Sequence, residues 1–137
     1  MYEIIYYTIN NKTMTDLKIF NGTPHAVTIV SGATFNPAIR KFSGGQVVMT
    51  IPSNGMLNAK MSTIELPSIN GIPCFGKSFE GVDALPEGFD IYIVSALFSS
   101  AMQKEGADMS KIYTIADPVM SEDGNTFIGC RGICPAF

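Results

Sequence analysis

Phe89-Asp-Ile-Tyr-Ile-Val94 runs directly into Ser95-Ala-Leu-Phe-Ser-Ser-Ala-Met-Gln-Lys104. The first six residues are dense in β-branched and aromatic side chains, as a buried strand requires. The next ten place Leu97, Phe98, Ala101 and Met102 at three- and four-residue spacing. With Ser95 as N-cap and Gly106 as the C-terminal stop, this predicts one main helix over about residues 95–105. No other part of the chain carries a comparable helical period.

Outward from this unit the chain reads as short strands. Tyr2 to Ile9 is aromatic and β-branched and ends at Asn10-Asn11-Lys12. Leu17 to Phe20 and Ala26 to Val30 flank Asn21-Gly-Thr-Pro-His25, where Pro24 fixes its own φ and pushes Thr23 toward extended geometry, so this is a rigid, shaped turn. Ala38 to Phe42 and Gln46 to Ile51 are expected to form a hairpin across Ser43-Gly-Gly45, before a turn at Pro52-Ser-Asn-Gly55. Met56 to Leu66 alternates as a strand that Pro67 should end. Ile72 to Phe75 is a short strand, and Gly76 to Gly88 is expected to be loop. Beyond the helix, Lys111 to Ile115, Val119-Met120 and Thr126 to Cys130 are strands, the last two joined by a hairpin turn at Ser121-Glu-Asp-Gly-Asn125.

Eight or more short strands around one helix predict an α+β domain built on a twisted, mainly antiparallel sheet or a partly closed barrel. One helix is too few for a doubly wound α/β sheet. The 137 residues suit a single domain, 1–137, in which residues 1–10 add an N-terminal strand able to pair with a neighbouring subunit.

An apolar fraction of 46% against 15% charge argues against disorder, and a chain this long needs neither metal nor disulfide to fold. The formal charge is −3, and the nine Lys and Arg are scattered, with Arg40-Lys41 the only adjacent pair, so no nucleic-acid groove is expected. Low charge with a positive mean hydropathy favours a homo-oligomer. Three cysteines, Cys74, Cys130 and Cys134, lack the spacing of a secreted disulfide scaffold. Zinc at Cys130 and Cys134 would need two more ligands, and only His25 and Cys74 remain, so no metal and no cofactor is expected. The opening residues have neither a basic lead nor a small-residue cleavage site, and no apolar run reaches the ~20 residues of a membrane span. The expected setting is the cytoplasm, with no membrane partner.

Candidates for chemistry are few. His25 is the single histidine; after Pro24 it is either a structural residue of the turn or a base that lacks an evident partner. Cys130 is either a nucleophile or a small buried hydrophobe. Ser95 stands where a strand becomes a helix, either as a plain cap or as part of an anion site. Val94-Ser95-Ala96 lacks the glycines of a nucleophile elbow, so no hydrolase triad is supported. Asp117, Glu122 and Asp123 surround a turn and read as solvated carboxylates, while Lys111 and Arg131 are the cations of that neighbourhood.

Four motifs in order carry a resemblance: Asn21-Gly-Thr-Pro-His-Ala-Val-Thr-Ile29, Ile51-Pro-Ser-Asn-Gly55, Tyr92-Ile-Val-Ser-Ala-Leu97, and Glu122-Asp-Gly124 with Gly129-Cys130. Over roughly Leu17 to Ile133 the chain resembles a family of short uncharacterised phage, prophage and bacterial proteins. These carry an Asn-Leu-Thr-Pro-His motif, a Tyr-Ile-Val-Ser strand-to-helix turn and a Gly-Cys C-terminal hairpin. Gly22 departs from that family's leucine, and Ser121 stands where its members commonly have an arginine. The resemblance implies a phage setting and brings no known chemistry with it. By analogy of setting, a compact, non-basic protein without a catalytic set suggests a non-enzymatic ligand binder, such as an anti-defence sponge that sequesters a nucleotide-derived immune signal. Asn21, Thr23, His25, Ser95 and Arg131 are the expected site for a small anionic, nucleotide-like ligand. The alternatives are a small hydrolase or lyase using His25 with Cys130 or Ser95, and a phage structural or partner-binding module.

Overall fold

The computed structural model describes the backbone of Thr8–Ile9 and Lys12–Thr13, and residues 17–136 in full. The first two segments, β1 and β2, pair antiparallel with Thr8 opposite Thr13. The remainder of the expected N-terminal strand, and the subunit contact assigned to it, lie outside the described residues.

Ten further strands and one helix follow. They are β3 (Ile19–Asn21), β4 (Val27–Ser31), β5 (Thr34–Asn36), β6 (Lys41–Ser43), β7 (Gln46–Ile51), β8 (Ala59–Ile69), β9 (Ile72–Val82), β10 (Ile91–Ile93), α1 (Ala96–Lys104), β11 (Ile112–Met120) and β12 (Phe127–Pro135). The expected α+β class with a twisted sheet holds. Eight strands form one curled, half-barrel sheet in which β3, β10, β11, β12, β4 and β7 lie side by side, with β5 and β6 attached beside the far end of β11.

That sheet is mixed: its longest pairings, β11 with β12 and β4 with β7, are antiparallel, as expected, and four shorter ones are parallel. β10 runs parallel to both β3 and β11, β6 runs parallel to β11, and β12 parallel to β4. For β10 and β11 the physical reason is the one helix: β10, α1 and β11 form a crossover unit, and a crossover of that length is what a parallel pair needs. Ser95 caps α1 as expected, its hydroxyl accepting from the Phe98 N–H at 3.1 Å. Gly106 and Ala107 close the other end by donating to the Gln103 and Met102 carbonyls, the paired bonds of a Schellman motif, and Lys104 sits at the negative end of the helix dipole.

Four local expectations need correction. Residues 38–42 and 46–51 do not form a hairpin with each other. β6 turns back on β5 and lies beside β11, whereas β7 pairs with β4. The Gly44-Gly45 link lets the chain pass from one partner to the other, because a Cβ at Gly45 would strike the Ser31 carbonyl oxygen. Pro67 does not end its strand, and residues 76–82 are strand rather than loop. β8 and β9 form an eleven-residue arm. Its tip is Asn70-Gly71 with φ of 50° and 78°, the paired positive values of a two-residue hairpin turn, and the missing Pro67 N–H falls at a register shift. Residues 112–120 form one strand where two pieces were expected, and the hairpin turn at 121–125 is in place, with Ser121 N–H donating to the Thr126 carbonyl at 2.7 Å.

β10 divides the core. Tyr92 and Val94 face Phe98 and Met102 of α1 together with Phe20, Leu57 and Ile112, while Ile93 faces Val27 and Cys130 inside the curl. Phe98, Ile93 and Ile112 are fully covered, each contributing about 1.5–3 kcal/mol of burial. Gly22 belongs to this packing: a Cβ there would lie 2.7 Å from Leu57 Cδ1, so Leu57 occupies the space that a larger residue at 22 would need.

Candidate functional site

β3 and β10 are parallel neighbours, so their carboxyl ends emerge on the same side of the sheet. One runs into the 22–26 turn and the other into Val94-Ser95 and the start of α1. Between these ends and the strands β4, β11 and β12 lies a cavity of about 400 Å³, within the usual size of small-ligand pockets. A crevice at strand carboxyl ends is where open sheets with parallel strands commonly take ligands. Its wall includes Thr23, Pro24 and His25 from the turn, Thr28 from β4, Ser95 and Ala96 at the helix start, Thr114 and Ile115 from β11, and Phe127, Gly129 and Cys130 from β12.

The turn on its rim is held from below by Asn21, which is completely buried. Its Nδ2 donates to the carbonyls of His25 and Ile51, both at 3.0 Å, and its Oδ1 accepts from the Thr23 N–H at 3.0 Å and the Thr23 hydroxyl at 2.6 Å. The 51–55 turn clamps the outside: Asn54 Oδ1 accepts from the Asn21 N–H at 2.8 Å, and the Ser53 hydroxyl donates to the Thr23 carbonyl at 2.6 Å. Two of the sequence motifs thus form one bonded unit. Among the five expected site residues, Thr23, His25 and Ser95 line the same cavity. Asn21 does not present its amide to that cavity, because every polar atom of the side chain is committed to holding the turn.

Arg131 is not a lining residue. Its guanidinium reaches Asp117 at 3.1 Å and lies over the Phe42 ring at 4.5 Å. Cys130 and Arg131 are neighbours on one strand, and strand alternation sends them to opposite faces. Cys130 faces inward, 1% exposed, with its thiol donating to the Thr28 carbonyl at 3.6 Å. Burial pushes its pKa up, and the Gly132 N–H only partly offsets this. The thiol therefore stays protonated at neutral pH, which makes it a poor nucleophile. The His25 ring is hydrogen-bonded to neither Cys130 nor Ser95, although all three lie around one cavity.

Two of the carboxylates near β11, Asp117 and Asp123, have local partners. Asp123 accepts from the Ser121 hydroxyl and the Asn125 N–H, which holds its pKa below the usual carboxylate value and fixes the hairpin turn. Among the described residues no group of three or more His, Cys, Asp or Glu is placed to hold a metal, and no helix is long and apolar enough to cross a membrane.

Thr28, Ala96, Thr114 and Phe127 were not identified from the sequence, since nothing in their local pattern distinguishes a cavity wall from an ordinary strand or helix start. No protein-family model, curated protein or solved structure matches this chain.

Proposed function

We propose that this protein is a non-catalytic binder that sequesters a small, nucleotide-like ligand in the cavity at the carboxyl ends of β3 and β10. The cavity carries the reading: it is of ligand size, its rim is a turn fixed by four Asn21 side-chain bonds, and its wall offers His25 and Ser95, with Thr23 bonded into the turn beside them. Preorganised groups of this kind bind with less entropy lost. The inward thiol with its raised pKa and the unlinked His25 weigh against a hydrolase or lyase. A phage-encoded sponge acting in the bacterial cytoplasm is the setting that best suits such a binder. Small molecules released by heat from the purified protein, identified by mass spectrometry, test the reading. A sponge returns its ligand unaltered, whereas an enzyme releases a changed product.

Self-association is part of the same proposal. On the β8–β9 arm Ile64, Leu66, Ile69, Ile72 and Phe75 are each 42–64% exposed, and no charged residue occurs from Leu66 to Phe75. An uncharged apolar tip of this kind suits a contact between copies, whose interfaces are more apolar than transient ones. Light scattering is expected to give an oligomer at micromolar concentration, and Ile69→Lys combined with Ile72→Lys is expected to give a folded monomer. A wild-type monomer would remove self-association from the proposal.

A further inference from the structure

We infer that the cavity recognises its ligand through a flat, uncharged ring and leaves any phosphate outside in water. This rests on the binding reading above and specifies the chemistry of that same site.

The wall is neutral. None of the fourteen lining residues is Lys, Arg, Asp or Glu, and Arg131 is held away by Asp117 and Phe42. A phosphate drawn inside would lose its hydration with no guanidinium or ammonium to replace it, and a buried, unpaired charge is costly. An uncharged ring meets no such penalty. Val27, Val94, Ala96, Ile115 and Phe127 supply apolar contact for its faces.

The polar groups on the wall suit a ring edge. Thr28, Ser95 and Thr114 are lining residues with hydroxyls, the Thr114 one 3.5 Å from the Cys134 thiol, and a hydroxyl serves as donor or acceptor for a neutral heteroatom. The Ser95 oxygen accepts from the Phe98 N–H, which leaves its proton available for donation. Phe127 lines the cavity while remaining 56% exposed, and Ile115, another lining residue, is 38% exposed. An aromatic side chain left half in water on the wall of an apolar cavity offers a face on which a ring can stack. His25, the one basic side chain among the lining residues, belongs to the exposed turn at the cavity rim.

Calorimetric titration of the full chain with adenosine, its 5′-monophosphate, its 5′-triphosphate and ribose 5-phosphate separates ring from charge. Adenosine is expected to bind, the phosphates to add no affinity, and ribose 5-phosphate to give no heat. Phe127→Ala should weaken adenosine by about tenfold, the scale of one lost base stack, with an unchanged melting temperature because the side chain is exposed. Affinity that climbs with each phosphate, binding of ribose 5-phosphate without adenosine, or no effect of Phe127→Ala would overturn the inference. Binding of none of the four by a protein that still releases a small molecule on heating would also overturn it, while leaving the sequestration reading in place.

Discussion

Asn21→Ala is expected to destabilise the fold by about 3 kcal/mol, since removing one partner from several buried hydrogen bonds leaves the others unsatisfied at roughly 1–3 kcal/mol each before relaxation. The Ile51 and His25 carbonyls and the Thr23 N–H would lose their partner together, and the Thr23 hydroxyl would lose one of two acceptors. The effect should be read as a fall of about 10 °C in melting temperature, on the usual scaling for a chain of this size. Asn21→Asp keeps the shape and the accepting oxygen but aims a carboxylate at two carbonyl oxygens, so it should be at least as damaging at neutral pH. Burial among those carbonyls would raise that carboxyl's pKa, so the variant should recover part of its stability as the solution is acidified and the group protonates. Circular-dichroism melts of both variants measure this. A fall under 2 °C for Asn21→Ala would mean that the turn is held by other contacts.

Gly129→Ala is expected to cost about 2 kcal/mol through overpacking, which typically amounts to 1–3 kcal/mol. The added Cβ would lie 2.5 Å from the Thr28 carbonyl oxygen and 3.1 Å from Val30 Cγ2. The first of these is backbone and cannot rotate away. β12 and β4 are paired only through Cys130 and Ile29 at this point, so pushing them apart opens the seam that forms the cavity wall. Chemical denaturation should show the lost stability, and the same variant should lose ligand retention. A variant as stable as the wild type would show that β12 and β4 are not in close contact at residue 129.

Much of the fold around the cavity is legible in the sequence because it depends on local chemistry. Ser95 and Gly106 bracket α1 by capping, and Ser121 to Asn125 form a hairpin through a side-chain-fixed turn. The arm was harder to see. Pro67 suggested a strand end, and Gly81, Pro86 and Gly88 suggested loop, but Asn70-Gly71 is a strong hairpin signal that explains both long strands once it is given weight. The mixed sheet depends on long-range pairings such as Cys130 with Ile29, for which no local pattern exists. Within the site, the joining of the His25 turn to the Ser95 helix start was readable as two preorganised elements. Arg131 was expected at the site as a cation able to grip a phosphate, whereas alternation along β12 turns Cys130 inward and Arg131 outward. Asn21 was assigned to the ligand because the sequence cannot show that a buried amide has four internal partners.

The central claim is that this cavity holds a small ligand and gives it back unchanged. The most direct measurement is mass spectrometry of the small molecules that the wild-type protein and an Ala96→Trp variant retain from a bacterial extract and release on heating. Ala96 lines the cavity at the first residue of α1 and is exposed, so an indole there fills the space without disturbing the core. The account predicts a compound retained by the wild type, recovered with the mass it has in the untreated extract, and absent from an Ala96→Trp protein of equal melting temperature. Equal retention by the variant, no retained compound in the wild type, or recovery only of an altered product would contradict it.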